Sequence, residues 1–396
     1  MVEGLTVERV TTNEGLNKLG PEWHELFIES GCRNVLLTPE WASTWWSHWG
    51  NGHRLAIIAV RDKIGRLIAV APFYIRSMMG KWGIRKLCFL GDKHIGSDYQ
   101  DLLSAPGCEK AVVDSIINEV RALATEWDAV ELLNCAADSH VFGMLRASMR
   151  ELGMREIISS TSVCPFISLP ESFDEYLAMV GDNVRYNFRR RLRALERNGK
   201  VDCLVLTHPS DIHAHFGELL RLHQMRFGQK NVRSDFLGED IEKFHADLID
   251  RLGTAGMARL LLLRVNGETI AALYGFTAGK RFTFFQSGMD PSWSRLSAGL
   301  VMMGCSIRVA IQTGHDEFDF LEGLQPYKLQ WAKQTRGQIS VKYCNSSIRG
   351  RLARVITVGA GLLKRMLPVR VRHVIKHMLI TLMLHLVYVK TSSSRV

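Results

Sequence analysis

At 396 residues the chain is too long for one small core, and a usual size near 150 residues per domain points to two or three units. Hydrophobic residues make up 46% and charged residues 23%, a globular composition that excludes a disordered or fibrous chain. The net charge of +10 does not describe a generally basic, nucleic-acid-coating protein. Glu322 is the last acidic residue and 14 Lys and Arg follow it, so residues 1–322 carry 36 basic against 40 acidic side chains.

The first elements read as a strand at Leu5–Val10, a helix near Asn13–Ser30 and a second helix from Pro39 to Trp49. Trp41, Trp45 and Trp49 lie at i, i+4, i+8 and put three indoles on one face, a stripe expected in core or inter-domain packing. A hairpin is predicted from Leu55–Val60 and Leu67–Phe73 around Gly65, then a helix at Val112–Glu126 and a strand at Ala129–Leu133. The same order returns later. Arg259–Val265 and Thr269–Phe276 flank Asn266-Gly267, a strong two-residue turn, and are followed by a helix at Gly299–Thr313 and a strand at Glu317–Leu321. One α/β unit used twice accounts for this repeat. The cysteines at 32, 88, 108, 135, 164, 203, 305 and 344 form no C-x-x-C motif, which fits reduced thiols in a cytoplasmic protein. The first ten residues include Glu3 and Glu8 and no long apolar run, so no signal peptide is predicted.

Between the repeats a single helix is expected over Phe173–Asn198, with Gly199 as its C-terminal cap. Val184, Phe188, Leu192 and Leu195 form its apolar stripe, surrounded by Arg185, Arg189, Arg190, Arg191, Arg193 and Arg197. Such a cluster is either a solvated basic face or a wall for an anionic ligand. A helix over Ile212–Gly228 carries His223 and Arg226, candidates for substrate contact, His223 equally being a partly buried helix residue.

The richest stretch for chemistry runs from Phe282 to Trp331. A strand at Arg281–Gln286, an irregular Ser-Gly-Met-Asp-Pro-Ser-Trp segment and a helix start after Arg295 make a strand–loop–helix join. There, unpaired N–H groups and the positive helix end would face a pyrophosphate. Gln286, Arg295, Ser297, Ala298, Gly299 and Leu300 are the candidate cofactor-binding residues. The next strand carries Asp319, a carboxylate that either pairs with a basic group or takes a raised pKa suited to proton transfer. Glu322, Tyr327 and Lys328 follow. Lys328 is the expected salt-bridge partner of Asp319 or Glu322.

Arg189-Arg190-Arg191-Leu192-Arg193, His223 with Arg226-Phe227, Ser297-Ala-Gly-Leu, Phe318-Asp-Phe, Tyr327-Lys328 and Trp331, in this order, resemble the CelD/BcsL family of GNAT-like acyltransferases. That family is associated with cellulose and exopolysaccharide production. The chain is more distantly similar to the FemAB-type aminoacyltransferases, which also use paired GNAT-like domains. The resemblance covers about residues 20–345 and implies an α/β (α+β) fold of tandem GNAT-like domains, each a mixed sheet flanked by helices. It implies a degenerate N-terminal domain at 1–168, an acyltransferase domain at 169–345 and a basic helical tail at 346–396. Acetyl-CoA or another acyl-CoA would be the co-substrate, without a metal, and an amine or hydroxyl of a small molecule or saccharide the acceptor. Tyr327 would protonate the leaving thiolate, with Asp319 and Glu322 the candidate bases. The usual GNAT signature Gln/Arg-x-x-Gly-x-Gly/Ala is imperfect, because counting from Arg295 puts Ala298 and Leu300 at the small positions. Charged tRNA therefore remains an alternative donor, and a non-catalytic scaffold for a polysaccharide synthase an alternative role.

In the tail, Met378–Val389 is too short to span a bilayer. With Arg365, Arg370, Arg372 and Lys376 nearby, residues 349–390 are expected either to lie on an anionic membrane surface at its cytoplasmic side or to pack on the protein body. His373 and His377 lack a third ligand for a metal.

Overall fold

The computed structural model describes residues 4–77, 83–92, 95, 97–228, 234 and 236–366, the last seven by backbone alone. Pro368, the Met378–Val389 stretch and the His373/His377 pair lie outside the described residues. In chain order the elements of the first part are β1 (Thr6–Val10), α1 (Asn13–Glu29), α2 (Pro39–Trp49), β2 (Arg54–Leu55), β3 (Ile57–Arg61), β4 (Leu67–Ala71), β5 (Phe73–Ser77), β6 (Arg85–Phe89), β7 (Leu103–Ser104), α3 (Glu109–Ala122), β8 (Ala129–Ala136), α4 (His140–Glu151) and β9 (Ile157–Ser168). There follow α5 (Phe173–Met179), α6 (Asp182–Glu196), β10 (Val201–Leu206), α7 (Pro209–Gly228), α8 (Glu239–Thr254), β11 (Ala258–Val265), β12 (Glu268–Ala278), β13 (Arg281–Met289), α9 (Ala298–Gln312), β14 (Glu317–Asp319), α10 (Pro326–Trp331), β15 (Gln334–Cys344) and α11 (Ile348–Met366).

Among the described residues the strands form two sheets, one ordered β1-β3-β4-β7 and a larger one ordered β10-β11-β12-β13-β14-β9-β15-β8-β6-β5-β2. The predicted repeat is present. In each part a strand leads through a helix into a parallel neighbour: β6 through α3 into β8, and β13 through α9 into β14. β15 closes the large sheet by pairing antiparallel with both β8 and β9. The Asn266-Gly267 turn forms as read, with Asn266 at φ 52 and Gly267 at φ 84, the left-handed pair such a turn requires.

Three sequence expectations change. The helix predicted over Phe173–Asn198 is two helices, because Gly181 takes φ 99 between them, a conformation that costs glycine little and ends an α-helix. α6 then ends at Glu196, before Gly199. The strand predicted over Glu317–Leu321 stops at Asp319, since Leu321 turns the chain at φ 55. The segment expected to be irregular is mostly ordered: β13 continues to Met289, and Pro291–Leu296 is a short 3₁₀ turn.

The tryptophan stripe of α2 joins the two parts. Trp41 and Trp45 are fully buried. Trp41 packs edge-on against Phe244, Phe276 and Phe285, with ring centroids 5.6, 6.1 and 5.9 Å away, and its indole N–H donates to Ser97 at 3.0 Å. Trp45 meets Tyr74 of the first part, with ring centroids 5.1 Å apart. Large aromatic burial of this kind dominates core energetics. All eight cysteines are free. Replacing Trp41 by Ala is expected to destabilise the chain by about 3–5 kcal/mol, read as a lower urea midpoint; an unchanged midpoint would mean that the stripe does not join the two parts.

Candidate active site

The site follows from how β13 and β14 run. They pair in parallel over Arg281/Glu317, Phe282/Phe318 and Thr283/Asp319. β13 then continues along β12, while the chain after β14 turns away at Leu321. A bulge at Phe285 shifts the β12–β13 register between Tyr274 and Gly275, and bulges bend a strand and re-aim its side chains. Two cavities occupy the space so opened.

The first, of about 290 Å³, is lined by Ser287, Gly288 and Met289 of β13, by Ser297, Gly299, Leu300 and Met303 at the start of α9, and by Tyr327, Gln330 and Trp331 of α10. Ser297 is left-handed at φ 57 and its side chain does not cap the helix. Leu300 and Val301 N–H already return to the Ser297 carbonyl, so the first-turn amides ahead of them are those a helix leaves free for an anion. Of the expected cofactor residues, Ser297, Gly299 and Leu300 line this cavity. Ala298 is buried beneath it. Arg295 is exposed, its carbonyl accepting from Arg191 at 2.7 Å, and it is absent from the lining.

The second cavity, of about 720 Å³, is lined by Asp98, Phe227, Phe236, Phe284, Phe285, Gln286, Phe320, Glu322, Gln325 and Lys328 among others. Gln286 therefore faces this cleft rather than the α9 end. Arg226 and Tyr327 line both cavities. The Arg226 guanidinium lies 5.5 Å from the Tyr327 ring centroid and donates to Ser287 Oγ at 3.0 Å. Burial pushes the Tyr327 hydroxyl pKa up and Arg226 pulls it back, so the phenol keeps its proton at neutral pH.

His223 is fully buried and touches neither cavity. Nδ1 lies 2.9 Å from the Ser287 carbonyl and Nε2 2.6 Å from Ser234 Oγ. A carbonyl cannot donate, so Nδ1 carries the proton and Nε2 accepts. Burial lowers its pKa, which suits this neutral form. His223 thus anchors the serine whose hydroxyl holds Arg226. Gly288 brings α7 against β13: a Cβ there would meet the Leu222 backbone at 2.6 Å and the His223 amide nitrogen.

Asp319 does not pair with Lys328. It is fully buried and accepts from Tyr99 Oη at 3.0 Å, from Leu321 N at 2.8 Å and from Arg336 at 3.1 Å. Arg336 also grips Glu317 at 3.0 Å and stacks 4.4 Å over the Phe166 ring. Asp319 reaches neither cavity. Lys328 turns its ammonium to three backbone carbonyls, of Phe320 at 2.8 Å, Leu321 at 3.4 Å and Glu322 at 2.6 Å, and burial lowers its pKa. Glu322 is exposed at the cleft rim. Arg185 is remote from these groups, on the exposed side of α6. There it pairs with Asp182 and, with Arg189, Arg190, Arg193, Arg197 and Tyr186, lines a separate hollow of about 470 Å³.

Sequence reading missed Asp98. Its segment has no periodic pattern, and only folding brings it to the cleft. Asn34 donates to the carbonyls of Asp98 and Tyr99 at 3.1 and 3.0 Å, and Asp98 Oδ2 accepts from Glu322 N at 2.9 Å. Among the described residues one set of potential metal ligands converges, Cys88, Asp92 and Glu131. Arg76 binds both carboxylates there, and Lys86 and Lys342 reach Glu131, so fixed cations already balance the charge.

Residues 182–329 match the family model described as an acetyltransferase (GNAT) domain. No curated protein matches the chain. Among solved structures the chain is similar to FemX, with a TM-score of 0.60 at 13% identity over 89% of this chain and 100% of that one. It is also similar to L-PGS from Bacillus licheniformis, with a TM-score of 0.53 at 13% identity over 85% of this chain and 95% of that one. The fold is thus of the GNAT acyltransferase type.

Burial pushes the Asp98 carboxyl up to about 6 from a usual 3.8, against donation from Glu322 N and Gln338. Between these values the folded chain holds a proton that the unfolded chain has released. The contribution of Asp98 to stability therefore falls as pH rises from about 4 to about 6 and is level above. Asp98→Asn, which keeps an acceptor oxygen, is expected to remove that slope and to be the more stable form at neutral pH by up to about 3 kcal/mol. Urea midpoints across this range provide the check, and parallel pH slopes in the two proteins would contradict it.

Proposed function

We propose that the protein transfers an acyl group from an activated donor held at the start of α9 to an amine or hydroxyl bound in the larger cleft. The observation that carries this reading is the meeting of the two cavities at Arg226 and Tyr327. Acyl-CoA is the donor class the α9 end suits. Ser297, Gly299 and the first-turn amides would hold its phosphates, and bound there it would supply an acyl carbon already activated as a thioester. Leu300 narrows the small-residue signature without removing those amides.

The acceptor side is walled by Phe227, Phe284, Phe285 and Phe320 and edged by Asp98, Gln286, Glu322 and Gln325. Aromatic faces with several hydrogen-bonding groups suit a saccharide, the acceptor class expected from the sequence. Asp98, poised near 6, takes the nucleophile's proton. Arg226 balances the negative charge that gathers on the acyl oxygen, and Tyr327 gives its proton to the departing atom. Asp319 acts behind these groups by holding the β14 end, and His223 by holding Ser287. In this proposal residues 169–345 form the transferase domain and residues 1–168 its degenerate partner.

The arginine row of α6 favours a second reading, an aminoacyl-tRNA donor, whose phosphate backbone such a row would bind. Calorimetry separates the two. Acetyl-CoA binding with weak salt dependence supports the first, and charged-tRNA binding that weakens steeply with salt supports the second. With the donor so identified, Tyr327→Phe is expected to lower kcat by roughly 10²–10⁴-fold and leave donor affinity in place. Asp98→Asn is expected to remove the rise of kcat/KM with an apparent pKa near 6. Full turnover in the tyrosine variant would remove Tyr327 from the mechanism.

A further inference from the structure

The described surface carries one unpartnered apolar row beyond the two cavities, and it lies on α11. That helix is moored at its start. Asn345 donates to the carbonyls of Ala124 and Trp127 at 3.2 and 2.6 Å, Ser347 Oγ accepts from Gly350 N at 2.9 Å, and Ala353 is buried against the body. The opposite side is apolar and open to solvent. Ile348 is 87% exposed, Leu352 44%, Val355 69% and Val358 44%. At 100° per residue the first three fall within an arc of about 60°, and Val358 lies roughly 60° beyond it, past Arg351. Arg349 flanks the row on one side and Arg351 and Arg354 on the other. Among the described ion pairs none involves Arg351 or Arg354, and both are exposed.

We infer that this face of α11 rests on an anionic lipid surface. The apolar row would enter the boundary between headgroups and acyl chains, and the flanking guanidinium groups would meet lipid phosphates. Charge selects this occupant. From Lys328 to the last residue the sequence has 14 Lys and Arg and no Asp or Glu. A second copy docked through the same row would set its arginines against these, whereas an anionic bilayer neutralises them. Among the described residues no helix is long and apolar enough to cross a membrane, so the contact is one of lying on the surface. The inference is independent of the donor and acceptor proposed above.

The test uses the full chain and vesicles of phosphatidylcholine with or without phosphatidylglycerol, read by flotation at low and high salt. Binding is expected only to the phosphatidylglycerol vesicles, weakening as salt rises. Leu352→Glu with Val355→Glu is expected to weaken it by at least about tenfold. Arg349→Gln, Arg351→Gln and Arg354→Gln together are expected to weaken it by roughly fivefold per arginine and to flatten the salt response. These side chains are half or fully exposed, and matching urea midpoints confirm that each variant folds. Equal binding to neutral vesicles, or variants that float like the parent, would overturn the inference. So would a parent that ignores vesicles but forms a dimer which the Leu352/Val355 variant abolishes.

Discussion

The hydrogen bonding between β13 and β14 ends after three residue pairs, and both cavities follow from that early end. A parallel pair ended this soon needs a clamp, and a buried charge cluster supplies it. Arg336 on β15 reaches across β9 to hold Glu317 and Asp319 on β14, while Tyr99 from the first part of the chain caps Asp319. Removing one member of such a cluster leaves an uncompensated buried charge, a loss typically larger than the pair's own net worth. The cluster fixes where β14 stops, and so where α10 begins and where Tyr327 comes to lie.

Much of the local structure was legible in the sequence because local rules governed it. Asn266-Gly267 demanded its hairpin, the Trp41/Trp45 spacing declared a packed face, and the small residues after Arg295 marked the start of a helix, which begins at Ala298. Errors arose where a residue's role is set by distant chain. Asp319 and Lys328 are nine residues apart and look like partners, yet Asp319 is claimed by Arg336 from β15 and Lys328 by backbone carbonyls. Asp98 carries no local signal, and its place depends on Asn34 and on the Glu322 amide. The break at Gly181 was legible in principle, since a lone glycine inside a helical pattern invites it, but the apolar stripe running past it pointed the other way.

Burial settles the character of the histidines near the site. His245 is fully buried among Phe236, Phe244, Tyr274 and Phe285, and burial drives its pKa down to about 3, so it behaves as one more aromatic ring. Burial likewise lowers the His223 pKa and favours its neutral form. Across neutral pH neither ring therefore contributes a charge beside the two cavities, where Arg226, Lys328 and the acidic side chains of the cleft set the electrostatics.

Lys328 has a wider consequence. Its ammonium gathers three carbonyls much as a small metal ion would, but it is tethered to α10 by its own side chain. The turn at 320–322 is one wall of the large cleft, and Tyr327 is the neighbouring residue on the helix. Opening that wall while α10 stays in place would strand an ammonium and its carbonyls without partners. The two therefore travel together as a single lever, and a ligand that shifts the rim of the large cleft also shifts the tyrosine shared with the small one.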